Sequence, residues 1–126
     1  MSGVVYDAGA LVAGGRNDRE FWADHRVRLE AGVVPVVPAP VVAQVSRSPR
    51  QVQLRRFLRG CEVFAFDAST AHAVGRLLGR SGTADIVDAT VVIIAIAQDA
   101  QVVTSDRADI SRLANVAGTR LVITEA

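Results

Sequence analysis

Gly3-Val4-Val5-Tyr6-Asp7 is a short, β-branched apolar run that stops at a carboxylate, and Gln101-Val102-Val103-Thr104-Ser105-Asp106 repeats that pattern near the other end of the chain. Three further apolar runs, at 33–37, 62–66 and 120–123, share the composition. All five read as nearly continuous hydrophobic strands, the kind buried on both faces of a parallel sheet. The intervening segments carry helical spacing instead. Phe21, Trp22, His25 and Leu29 recur at one helical pitch, and so do Leu54, Phe57, Leu58 and Cys61 within 49–60. A helix over 70–80 ends at Ser81-Gly82, after which Thr83 is placed to cap a helix over 84–98; another runs from 107 to about 116 and closes at Gly118. Strand and helix alternate. The expected architecture is therefore α/β, a three-layer α/β/α sandwich around a central, mainly parallel sheet of four or five strands. With 126 residues, one domain over 1–126 is expected.

Half the residues are apolar but few are aromatic, so the core must be built from Val, Ala, Leu and Ile. All 14 basic residues are Arg, and Arg47, Arg50, Arg55, Arg56 and Arg59 occupy a stretch without a carboxylate. On a helix over 49–60, Arg55, Arg56 and Arg59 oppose the apolar stripe, a face suited to RNA phosphates or simply to water. A lone cysteine, Cys61, forms no internal disulfide and no Cys-based metal motif, which fits a reducing compartment. The apolar run 89–97 is about half as long as a membrane span requires. No secretory leader is read at the N-terminus. A cytoplasmic protein without a membrane partner is the expectation.

Four aspartates stand where apolar runs meet turns: Asp7, Asp85, Asp88 and Asp106. In open parallel sheets ligands bind beyond the carboxyl ends of the strands, so Asp7 and Asp106 are positioned to share a site. Asp85 and Asp88, three residues apart at a helix start, share a face. Carboxylates without His or Cys companions select a hard cation such as Mg²⁺ or Mn²⁺. Such a cation both activates water and neutralises a leaving oxygen, the two requirements of phosphodiester hydrolysis. The plainer alternative is helix capping, common for Asp at strand-to-helix junctions.

The ordered acidic segments resemble the PIN-domain family, in particular the VapC-type ribonuclease toxins of toxin–antitoxin pairs. Val4-Val5-Tyr6-Asp7-Ala8-Gly9-Ala10-Leu11 resembles the first acidic motif of that family, Ala84-Asp85-Ile86-Val87-Asp88-Ala89 the third and Val103-Thr104-Ser105-Asp106-Arg107 the fourth. The resemblance implies a metal-dependent endoribonuclease leaving 5′-phosphate and 3′-hydroxyl ends, with Asp7, Asp88 and Asp106 as metal ligands. Asp85 is an auxiliary catalytic carboxylate or a cap, and Ser105 supports the site. Arg16 and Arg107, beside the first and fourth motifs, are positioned for substrate contact. Implied partners are RNA, a cognate antitoxin and a second copy of the chain in a homodimer. One position departs from the family pattern: in Pro38-Ala39-Pro40-Val41-Val42-Ala43-Gln44, an amide stands where a Glu is expected. Gln offers a neutral carbonyl oxygen but no charge and no base. A PIN-like domain with a weakened site, acting by RNA or protein binding, is therefore the competing reading. A phosphoacceptor receiver domain shares the alternation but requires a Lys, and the chain has none.

Overall fold

The computed structural model describes residues 3–126, and within them five strands form one sheet in the order β3-β2-β1-β4-β5, every pair parallel. The strands are β1 (Val4–Tyr6), β2 (Val36–Pro38), β3 (Glu62–Phe64), β4 (Gln101–Thr104) and β5 (Ile123–Glu125). Seven helices link them: α1 (Ala8–Gly15), α2 (Arg19–Glu30), α3 (Ala39–Val45), α4 (Val52–Leu58), α5 (Ala68–Ser81), α6 (Ile86–Ala97) and α7 (Arg107–Val116). The expected α/β/α sandwich is borne out, with a sheet that is wholly parallel.

Topology assigns the layers. The chain steps outward from β1 through β2 to β3, then returns to the other side of β1 as β4 and continues to β5. Right-handed crossovers therefore place α1–α4 against one face and α5–α7 against the other. The helix packing agrees in the main: α1 touches α2, α3 and α4, whereas α6 touches α5 and α7, and α3 also reaches α6. β1, β2 and β4 are fully or nearly fully buried, as continuous Val runs require. The edge strands β3 and β5 are largely exposed, contrary to the expectation of two-sided burial for all five runs.

Four of the six aromatic residues gather under the first face. Phe57 of α4 stacks on Tyr6 of β1 with ring centroids 5.8 Å apart, and Phe21, Trp22 and His25 of α2 close around them. A Cβ on Gly14 would fall 2.6 Å from the Phe57 ring, so only glycine lets α1 approach this closely. His25 is packed: its Nδ1 shares a hydrogen bond with the Tyr6 hydroxyl at 2.8 Å, and Arg28 donates to the same oxygen at 3.0 Å. Cys61 is half-buried, and burial pushes its thiol up to about 12.

Several boundaries move for identifiable reasons. β2 begins at Val36 rather than 33, because the Val33 amide still closes the end of α2 on the Arg28 carbonyl, after Gly32 at φ +81°. The fourth helix starts at Val52, since 46–51 is an ordered loop. Gln51 accepts from the amides of Arg47 and Ser48 and donates to the Val45 carbonyl. Thr83 is not the cap of α6; its hydroxyl bonds to Ser81, and Asp85 caps the helix instead. β5 shifts to 123–125 because its register follows β4, pairing Val102 with Ile123 and Thr104 with Glu125.

Candidate metal centre

The direction in which the chain crosses the sheet reverses between β1 and β4, creating a crevice beyond their carboxyl ends, the usual ligand position in open parallel sheets. Register sets the two strands level, with Tyr6 opposite Val103. Asp7 and Asp106 therefore emerge at the same edge. Asp88, in the first turn of α6, reaches it from the other layer. Carboxylate oxygens of Asp7, Asp88 and Asp106 lie within 4.8 Å of one another.

Each carboxylate is held differently. Asp7, buried, caps α1 through Oδ1, which accepts from the Ala8 amide at 2.7 Å, while Oδ2 accepts from the Thr104 hydroxyl at 2.6 Å. Thr104 Oγ1 in turn accepts from the Asp106 amide at 2.9 Å, so one fully buried hydroxyl ties the first acidic segment to the last. Asp106 is exposed and, unlike Asp7, Asp18, Asp67 and Asp85, makes no capping bond with its side chain. Its carboxylate is not consumed by the helix it precedes. Capping therefore does not account for the group.

Electrostatics separates this cluster from ordinary surface acids. Burial raises the Asp7 carboxyl above its usual range, against the opposing bonds from Thr104 and Ala8. Asp88 is pushed up to about 7, first by burial and then by the negative charges of Asp85, Asp7 and Asp106. Neither ion pair among the described residues, Arg107–Glu125 or Arg112–Asp109, neutralises these three. An all-oxygen donor set with crowded negative charge and no guanidinium partner suits a hard divalent cation, which fits Mg²⁺ or Mn²⁺ chemistry.

The remaining sequence candidates distribute unevenly. Asp85 is exposed, lies outside the group of three, and gives its Oδ1 to the Asp88 amide at 2.9 Å. It is a cap that orients the first turn of α6, and its charge contributes to the raised pKa of Asp88. Ser105 lies against Gly9 of α1, where a Cβ on the glycine would meet its Oγ, and the supporting hydroxyl is that of Thr104. Parity carries that signal: Thr104 ends β4 one residue past the partner of Tyr6, beside Asp7. Arg107 reaches β5, donating to the Ile123 carbonyl at 2.8 Å and pairing with Glu125 at 3.3 Å. Gln44 and Arg16, both exposed, line a groove of about 700 Å³ that begins at Ala8, next to Asp7, and runs along α1 between α3 and α4.

The fold and the acidic crevice together define a three-layer α/β/α domain with three carboxylates gathered beyond the carboxyl ends of its central strands. No protein-family model and no curated protein matches the sequence. Solved structures do. A chain of VapBC2 from Rickettsia felis bound to a DNA fragment from their promoter superposes with TM-score 0.74 at 20% identity over 98% of each chain. A chain of DNA-bound VapBC from Salmonella typhimurium gives 0.71 at 17% identity, covering 99% of this chain and 98% of that one. A chain of FitAB bound to an IR36 DNA fragment gives 0.62 at 11% identity, covering 97% and 94%. The resemblance read from the acidic motifs is thus borne out as a shared fold over the whole chain. Among the described residues no helix is long and apolar enough to cross a membrane.

Proposed function

We propose that this chain is a VapC-type PIN-domain toxin, a single domain over 1–126, that hydrolyses RNA phosphodiesters with Mg²⁺ or Mn²⁺ held by Asp7, Asp88 and Asp106. One observation carries the reading: three carboxylates from distant segments converge within 4.8 Å at the crevice between β1 and β4, with no basic side chain paired to them among the described residues. The fold shared with chains of VapBC and FitAB complexes supports it and motivates a cognate antitoxin as partner. A homodimer and a cytoplasmic location belong to the same reading.

When bound, the cation supplies neutralising charge to the phosphate and lowers the pKa of a water toward neutrality. The protein's own part is to hold that position. Thr104 fixes one Asp7 oxygen and the Asp106 backbone at once, so the spacing of two ligands depends on a single hydroxyl. Asp88, with its pKa near 7, gives up its proton as a cation arrives, so binding weakens as pH falls through neutrality. Arg16 lines the α1 groove, which supports a role for it in RNA contact.

A second reading has its own observation. Gln44 stands exposed on the groove wall where a family carboxylate is expected, leaving the centre one charge short. Under that reading the domain acts by binding RNA or protein. RNA incubated with Mn²⁺ separates the two: the nuclease reading requires cleavage to 5′-phosphate ends, lost with EDTA and in Asp88→Asn, whereas the binding reading requires RNA retention without cleavage.

A further inference from the structure

A second, separate cleft lies at the far end of α1. It encloses about 170 Å³ and is lined by Asn17, Trp22, Arg26, Gln53 and Arg56, contributed by the α1–α2 turn, α2 and α4. No carboxylate lines it. Arg26 and Arg56 are exposed and take no part in either described ion pair. The rest of the lining is fixed by hydrogen bonds: Trp22 Nε1 donates to the Gly14 carbonyl at 3.0 Å, and Gln53 Nε2 donates to Asn17 Oδ1 at 3.2 Å. Asn17 holds the left-handed conformation at φ 57°, which brings its side chain to this turn. With its oxygen engaged by Gln53, the Asn17 amide retains its NH₂ donors. Two guanidinium groups and an amide, set beside the Trp22 ring in a small polar cleft, have the chemistry of an oxyanion receptor.

The cleft adjoins the groove that starts beside the acidic centre. Gln53 lines both the cleft and the groove along α1, and the other end of that groove is Ala8, bonded through its amide to Asp7. The eight residues of α1 span about 12 Å. At a stacked spacing of about 3.4 Å per nucleotide, that is on the order of three or four nucleotides. We infer that the Arg26–Arg56 cleft is a phosphate subsite that grips the RNA backbone a few nucleotides from the scissile bond, after the strand has run along the α1 groove. The inference rests on the reading of the chain as an RNA-acting protein and adds the path of contact to it.

The test uses the intact protein in EDTA, so that binding is measured without cleavage. A short fluorescein-labelled single-stranded RNA is titrated by anisotropy at several KCl concentrations against wild type, Arg26→Gln/Arg56→Gln, and Arg76→Gln/Arg80→Gln. The last removes the same charge from α5, on the opposite layer. Far-ultraviolet dichroism and melting confirm that each variant is folded. Losing two phosphate contacts weakens binding roughly tenfold at low salt and reduces the salt slope by about 1.4, from about 0.7 per phosphate on a single strand, whereas the α5 control changes neither. Binding within twofold of wild type, or equal weakening in the α5 control, overturns the subsite. Unchanged RNA binding together with loss of an acidic protein partner would reassign the cleft to protein carboxylates. Wild-type cleavage with Mn²⁺ is run in parallel: if RNA is cleaved but the cleft variant binds normally, only the subsite fails. If wild type neither binds nor cleaves RNA, the nuclease reading fails with it.

Discussion

Replacing Asp88 with Asn should make the metal-free protein more stable at alkaline pH, the reverse of what removing a buried, structurally required side chain would do. Its carboxyl is raised from 3.8 to about 7 by burial and by Asp85, Asp7 and Asp106. The unfolded chain ionises near 3.8, so between the two values only the unfolded state has lost its proton. Stability therefore falls as pH rises through that window and levels off above about 7. A shift of about 3 units corresponds to a ceiling of about 4 kcal/mol at pH 8, and solvent around the exposed Asp106 rim screens this to about 2 kcal/mol. Urea denaturation in EDTA should find Asp88→Asn about 2 kcal/mol more stable than wild type at pH 8, and less than about 1 kcal/mol at pH 5. Saturating Mn²⁺ should reverse the order, because wild type gains about 2.7 kcal/mol at a hundredfold excess over Kd and the variant gains little. A variant that is less stable than wild type at pH 8 in EDTA, or equally displaced at both pH values, would refute the argument that these carboxylates are crowded for a cation.

Other consequences follow from individual contacts. Thr104→Val removes the donor to Asp7 and the acceptor for the Asp106 amide, and should cost about 1–3 kcal/mol in denaturation while weakening Mn²⁺ binding measured by calorimetry; unchanged affinity would remove Thr104 from the site. His25 is buried and neutral, its pKa lowered to about 4 by burial and the Arg28 charge. The unfolded imidazole protonates near 6.5, so about 1–2 kcal/mol of stability, after screening, is lost as pH falls from about 6.5 to about 4. A proton NMR titration placing the His25 midpoint near 6.5 would contradict this. Gln44→Glu adds the absent charge and should strengthen Mn²⁺ binding and speed RNA cleavage; no change in either would show that the position lies outside the centre's influence.

How far the sequence reveals all this depends on the range of the forces involved. Buried parallel strands announce themselves, since β1, β2 and β4 must be apolar on both faces, and so their Val runs were readable directly. The edges were not. β5 is positioned by register against β4 and by the tie from Arg107 to Ile123, neither of which leaves a local pattern, and the apolar run at 120–123 pointed three residues too early. Asp7, Asp88 and Asp106 were legible because each follows a strand or opens a helix in a fixed order along the chain. Local pattern alone does not divide the labour around them: the resemblance favours Asp88 over Asp85 as ligand, and the bond from the Asp88 amide to Asp85 shows which of the two caps the helix. Ser105 and Thr104 differ only in which face of the strand end they occupy. The cleft of Arg26 and Arg56 joins residues from separate helices, beyond the reach of any local reading.

The central claim is that Asp7, Asp88 and Asp106 form one cation-holding centre that cleaves RNA, and Asp106→Asn tests it most directly. This carboxylate is exposed and caps nothing, so its loss leaves the fold intact. RNA cleavage by wild type and variant, measured across a Mn²⁺ titration, should show activity that requires the metal, disappears with EDTA, and falls by at least about a hundredfold in the variant. Equal metal-dependent cleavage by Asp106→Asn, or cleavage by wild type that persists in EDTA, would contradict the account.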